Sequence, residues 1–102
     1  MKQVIKDKLE VVKNSCAQYG IKRLSIFGSV VGEKFNEGSD IDFLLAFDER
    51  LSIEEYTNNY FLFHDFLKGL FKREIDLVTE NSLSNPYFIQ SINQSKQIVY
   101  EA

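Results

Sequence analysis

The chain has no tryptophan and only one cysteine, one methionine, one proline and one histidine among its 102 residues. A single cysteine, Cys16, excludes an internal disulfide and a thiolate zinc site. A single histidine, His64, with no cysteine near it, leaves no set of nitrogen and sulfur ligands for a metal. No apolar run approaches the roughly twenty residues that a membrane span requires. The N-terminus is charged and amphipathic and lacks the apolar stretch of a secretory signal, so the cytoplasm is the expected location. Basic clusters longer than Lys22-Arg23 or Lys72-Arg73 are missing and the formal net charge is −3, which argues against a nucleic-acid partner. Low-complexity tracts and internal repeats are also absent.

What is present suits one soluble domain over residues 1–102. Hydrophobic residues make up 44% of the chain, enough to fill a single core at this length. Ile5, Leu9, Val12, Cys16 and Tyr19 repeat at helical spacing and predict a helix from about Lys2 to Tyr19, stopped by Gly20. On that apolar stripe Cys16 reads as a buried structural thiol rather than a nucleophile. A strand is expected over 22–27, a short helical turn through Val30 and Val31, and a second strand over 40–47. Ile41, Phe43, Leu45 and Phe47 line one face of that second strand, while Leu44 and Ala46 line the other, which places it mid-sheet.

Ser52 followed by Glu55 is a capping-box signal for a helix running to about Phe71. Tyr56, Tyr60, Phe63, Leu67 and Leu70 form its stripe, and Phe61, Leu62 and Phe66 widen it. A wide core face and a partner-binding surface are the two readings of that excess. A third strand is expected over 74–79. Asn85-Pro86 predicts a helix start with proline in the first turn, and residues 98–100 an edge strand. The order α-β-α-β-α-β-α-β indicates a mixed α/β fold.

The chemistry concentrates between Phe27 and Leu45. Asp40 and Asp42 stand two apart at the head of an apolar strand, so they point to one face and repel each other. A hard divalent cation relieves such repulsion, takes carboxylate oxygens and keeps positions open for phosphate oxygens. Gly28-Ser29 supplies a turn whose backbone N–H groups can approach a phosphate closely, and a helix beginning there would add its dipole. An EF-hand is excluded because the alternating oxygen ligands and central glycine are missing.

Gly28-Ser29, ten intervening residues, then Asp40-Ile41-Asp42 resembles the GS-x10-DxD signature of the nucleotidyltransferase superfamily. The shortness of the chain and the later Glu74-Ile75-Asp76-Leu77-Val78-Thr79 resemble its minimal branch, in which a third carboxylate lies on the next strand. Asp76 matches that position. The resemblance implies a small mixed sheet flanked by helices. It implies Asp40, Asp42 and Asp76 as catalytic and metal-binding residues, Gly28 and Ser29 as nucleotide-binding residues, Mg²⁺ as cofactor and ATP as substrate. It departs from a common Gly-Ser-x-Ala-Arg-Gly start, because Gly32 stands where that pattern has arginine; Lys34 and Lys22 are the candidate replacements.

Relatives that act on RNA or aminoglycosides carry further domains. The resemblance therefore implies the antitoxin type paired with a HEPN-family ribonuclease toxin, which transfers AMP to a tyrosine of its partner. The aromatic helix over 56–71 is the candidate docking face. Two other readings stay open: a non-catalytic module that neutralises its partner by occlusion, and a small-molecule nucleotidyltransferase working as a homo-oligomer.

Overall fold

The computed structural model describes residues 1–102. Helices α1 (Gln3–Lys6) and α2 (Leu9–Gln18) lead into strand β1 (Ile21–Phe27). A single 3₁₀ turn, Gly28–Val30, and a loop precede β2 (Ile41–Phe47). Helix α3 (Ile53–Phe71), β3 (Ile75–Thr79), a 3₁₀ turn at Glu80–Ser82, α4 (Pro86–Ser95) and β4 (Gln97–Glu101) complete the chain. The expected mixed α/β order is present, with one difference. The N-terminal helix is broken at Asp7-Lys8, where Lys8 leaves the helical region (φ −112°, ψ 5°) and no side chain caps the second piece. Ile5, Val12 and Cys16 still share one buried face across the bend. The short helical turn expected after Gly28 is present as a single 3₁₀ turn, so its contribution to anion binding is a few backbone amides and no sustained dipole.

The sheet order is β3-β2-β1-β4. β1 runs antiparallel to both neighbours, and β2 and β3 run parallel, joined by α3. The two faces of β2 separate the molecule into layers. Ile41, Phe43, Leu45 and Phe47 are buried with Leu24 and Ile26 of β1, Val12 and Cys16 of α2, and Phe63, Leu67 and Phe71 of α3. Leu44 faces the other way, into a smaller cluster with Phe27 and with Ile92 of α4. Asp42 lies on this second face by alternation.

Local chemistry explains the boundaries of the helices. Ser52 and Glu55 form the reciprocal capping box at the start of α3. Asn85 Oδ1 accepts from the N–H groups of Tyr87 and Phe88, with Pro86 in the first turn of α4. The aromatic excess of α3 divides. Phe63 and Leu67 are fully buried, Tyr56, Tyr60, Phe66 and Leu70 pack at the margin of the core, and Phe61 and Leu62 remain exposed. Most of that width is therefore core face. No helix is long and apolar enough to cross a membrane.

Candidate functional site

Strand pairing brings the candidate residues to one end of the sheet. Phe27, the last residue of β1, pairs with Asp42 on one side. Asp76 pairs with Asp42 on the other, in the parallel ladder of β2 and β3. Neighbouring strands are about 4.8 Å apart, so the two carboxylates rise side by side from the same face. Asp40 precedes β2 by one residue and is exposed, as is Asp76, whereas Asp42 is half-buried between Phe27 and Leu44.

That burial decides the electrostatics. The Asp42 carboxyl is pushed up to about 6, first by desolvation and then by the negative charges of Asp76 and Asp40. No hydrogen bond or cation of the chain offsets its charge. Gly28 follows Phe27 with φ +73°, a left-handed conformation, and a β-carbon placed on it would stand 2.3 Å from Asp42 Oδ2. Glycine is thus required there twice, by conformation and by the closeness of the carboxylate. Ser29 Oγ lies 3.5 Å from the Asp40 carbonyl, which sets the Gly-Ser turn against the segment that bears the outer carboxylate.

These residues suit a hard cation. The donors are all carboxylate oxygens, the Asp42 carboxylate is uncompensated and repelled by both neighbours, and the missing side chain of Gly28 is what makes room for it. The carboxylates are not drawn into a closed cage: no three histidine, cysteine, aspartate or glutamate side chains are gathered as a metal-holding group.

Of the two lysines expected to replace the loop arginine, Lys22 is at the wrong end of β1. It pairs with Glu49, beyond the far end of β2, at 2.7 Å. Lys34 is exposed and enters none of the ion pairs. The cation that reaches the turn is Lys2, whose Nζ donates to the Gly32 carbonyl. Arg73 is a residue that sequence reasoning missed. Its Nη1 donates to the carbonyls of Asn36 (2.8 Å) and Ser39 (2.9 Å), and its guanidinium lies 4.5 Å from the centre of the Phe35 ring. It ties the start of β3 to the loop that delivers Asp40. No local pattern signals this, since the partners lie more than thirty residues away.

Comparison with known proteins agrees with the geometry. Residues 9–99 match the family described as nucleotidyltransferase domain. A Methanocaldococcus jannaschii protein named as a protein adenylyltransferase is 31% identical over 94 residues, covering 92% of this chain and 89% of that protein. The protein adenylyltransferase MntA of Thermococcus cleftensis is 29% identical over 68 residues, covering 67% of this chain and 65% of its own. Among solved structures, a minimal nucleotidyltransferase superposes with a TM-score of 0.69 at 26% identity, covering 93% of this chain and 92% of that one. Two toxin–antitoxin complexes share the fold. One, with AMP-PNP, has a TM-score of 0.64 at 17% identity, covering 88% of this chain and 73% of that one. The other, an AMPylated Shewanella oneidensis HEPN toxin with its MNT antitoxin, has a TM-score of 0.57 at 15% identity, covering 92% and 73%. The chain belongs to the nucleotidyltransferase domain family, as one of its minimal members.

Proposed function

We propose that this single domain, residues 1–102, transfers AMP from ATP to a tyrosine hydroxyl of a HEPN-type ribonuclease toxin and so acts as its antitoxin. The observation that carries the reading is the in-register pairing of Asp42 with Asp76 directly beside the side-chain-free Gly28. Supporting it are relatives named protein adenylyltransferases over nearly the whole chain, and structural neighbours that are antitoxins solved with an AMPylated HEPN toxin or with AMP-PNP.

In this reading Asp40 and Asp42 would hold Mg²⁺, and Asp76 would complete the site on the acceptor side. Bound there, the metal supplies neutralisation of phosphate charge and acidification of the acceptor hydroxyl. Gly28 and Ser29 hold the outer phosphates with backbone N–H groups and the Ser29 hydroxyl. Asp76 takes the acceptor proton, the acceptor oxygen bonds to the α-phosphorus, and the bond to the bridging oxygen breaks as pyrophosphate leaves. Burial of Asp42 beside Phe27 strengthens its attraction for any cation, because the local dielectric is low. Positioning and charge neutralisation thus supply most of the catalysis.

Phe61 and Leu62, two exposed apolar residues in the middle of α3, are the proposed contacts to the partner. The test is co-expression with the product of the neighbouring reading frame, followed by intact-mass measurement of that partner. The reading expects mass increments of whole AMP units with the wild type and none with Asp42→Asn. A partner that co-purifies unmodified with both would replace transfer by occlusion.

A further inference from the structure

β3 is an edge strand, and its outward carbonyls are those of Ile75, Leu77 and Thr79, since Glu74 O turns inward to accept from Ile41 N. All three are met by side chains. His64 Nε2 lies 2.9 Å from Ile75 O, Tyr60 Oη donates to Leu77 O at 2.6 Å, and Ser82 Oγ donates to Thr79 O at 2.8 Å. A carbonyl can only accept, so the His64 ring carries its proton on Nε2.

The match between helix and strand is geometric. Tyr60 and His64 are one helical step of four residues apart, about 6 Å along α3. Ile75 and Leu77 are two residues apart, about 6.6 Å along β3. The helix runs against the strand, so the later helix residue meets the earlier strand residue. The two grips close on the carbonyls of Ile75 and Leu77, the residues on either side of Asp76. Tyr60 also stands near enough to Asp76 that, after burial, the carboxylate's charge raises its phenol pKa.

We propose that Tyr60 and His64 are positioning residues that clamp the backbone on both sides of Asp76 and fix its carboxylate against Asp42. The inference rests on the reading of Asp76 as the third carboxylate of the site. Asp76 itself is exposed, and no side-chain hydrogen bond orients it. Its aim depends on the strand that carries it, and an edge strand is held by a ladder on one side only. The simpler role for the clamp is protection of that edge against pairing with another chain. The two roles differ in what they do to metal binding.

The experiment compares wild type, Tyr60→Phe, His64→Gln, the double variant Tyr60→Phe/His64→Leu, and Asp76→Asn. Mn²⁺ binding in the presence of AMP-PNP is followed by electron paramagnetic resonance, together with thermal unfolding and the kcat and KM of AMP transfer to the co-expressed partner. The double variant is expected to lose about ten-fold in Mn²⁺ affinity and in kcat, the scale seen when groups behind a ligand are removed. Its KM for ATP stays within about two-fold, because the phosphate-holding turn is untouched. His64→Gln keeps a donor at the same place and restores wild-type values. Tyr60→Phe removes one oxygen and carries the same comparison should the double variant unfold, with an expected loss of about three-fold. Wild-type Mn²⁺ binding and turnover in Tyr60→Phe and the double variant, with both lost in Asp76→Asn, would reduce the clamp to edge protection. Unchanged values in Asp76→Asn itself would remove the premise and the proposal with it.

Discussion

Gly28 and Asp42 are in such close contact that no other residue fits opposite the carboxylate: a β-carbon at position 28 would fall 2.3 Å from Asp42 Oδ2. Two separate features of the sequence, a turn glycine and a strand aspartate, are thereby one structural unit. Gly28→Ala must either drive Asp42 aside or abandon the left-handed backbone at φ +73°. The expected cost is about 1–2 kcal/mol of stability from backbone strain. Transfer activity falls more than the stability loss accounts for. Urea unfolding beside turnover measurement checks both.

Asp42 couples stability to pH. Its folded-state pKa of about 6 lies above the ordinary carboxylate value of 3.8, so the folded form binds the proton more tightly than the unfolded form. The contribution of this group is fully present below pH 3.8 and is lost as pH rises through about 6. Asp42→Asn removes that decline. At neutral pH the variant is expected to be more stable than wild type by about 1 kcal/mol, the shift being discounted because the group is partly open to solvent. It is also expected to be inactive, an exchange of function for stability that active sites commonly show. Unfolding midpoints of both proteins at pH 4, 6 and 7.5, without divalent cations, test the sign. Equal pH slopes would contradict it.

Arg73 holds the loop that presents Asp40. Arg73→Met removes two charge-assisted hydrogen bonds to Asn36 and Ser39 and keeps part of the apolar contact with Phe35. The expected stability loss is about 1–3 kcal/mol. Loosening of the loop is expected to weaken nucleotide binding several-fold, measured by calorimetric titration with AMP-PNP. Arg73→Lys recovers part of the loss, because both bonds come from the one nitrogen Nη1 and an ammonium can donate to both carbonyls, while the planar contact of the guanidinium with the Phe35 ring is lost.

Cys16 is fully buried and its thiol is pushed up to about 12 by desolvation. It is expected to resist thiol reagents in the native protein and to react at a rate set by unfolding. Rapid labelling under native conditions would place it outside the core.

Patterns confined to a few residues were legible in the sequence. The two-sided apolar character of β2, the Ser52–Glu55 capping box, the Asn85-Pro86 start of α4 and the terminal edge strand all follow from local spacing or local hydrogen bonds. Strand alternation put Asp40 and Asp42 on one face, the family resemblance added Asp76, and the pairing of β2 with β3 puts Asp42 and Asp76 in register. The unread features depend on contacts between distant segments. Nothing around Arg73 announces Asn36 and Ser39, and nothing around Tyr60 and His64 announces the carbonyls of β3. Lys22 was a candidate for phosphate because it is basic and near the Gly-Ser turn in sequence, yet β1 carries it to the opposite end of the sheet, beside Glu49. The break between α1 and α2 was also hidden, because the buried positions keep helical spacing across it.

The central claim is that the carboxylate cluster directs attack at the α-phosphorus of ATP. The measurement that reaches it most directly uses ATP labelled on either the α- or the γ-phosphorus, incubated with the protein and its partner, for wild type and Asp42→Asn. The account predicts that only α-label enters the partner, that γ-label is recovered in pyrophosphate, and that Asp42→Asn transfers neither. Transfer of γ-label to the partner, or undiminished α-label transfer by Asp42→Asn, would contradict it.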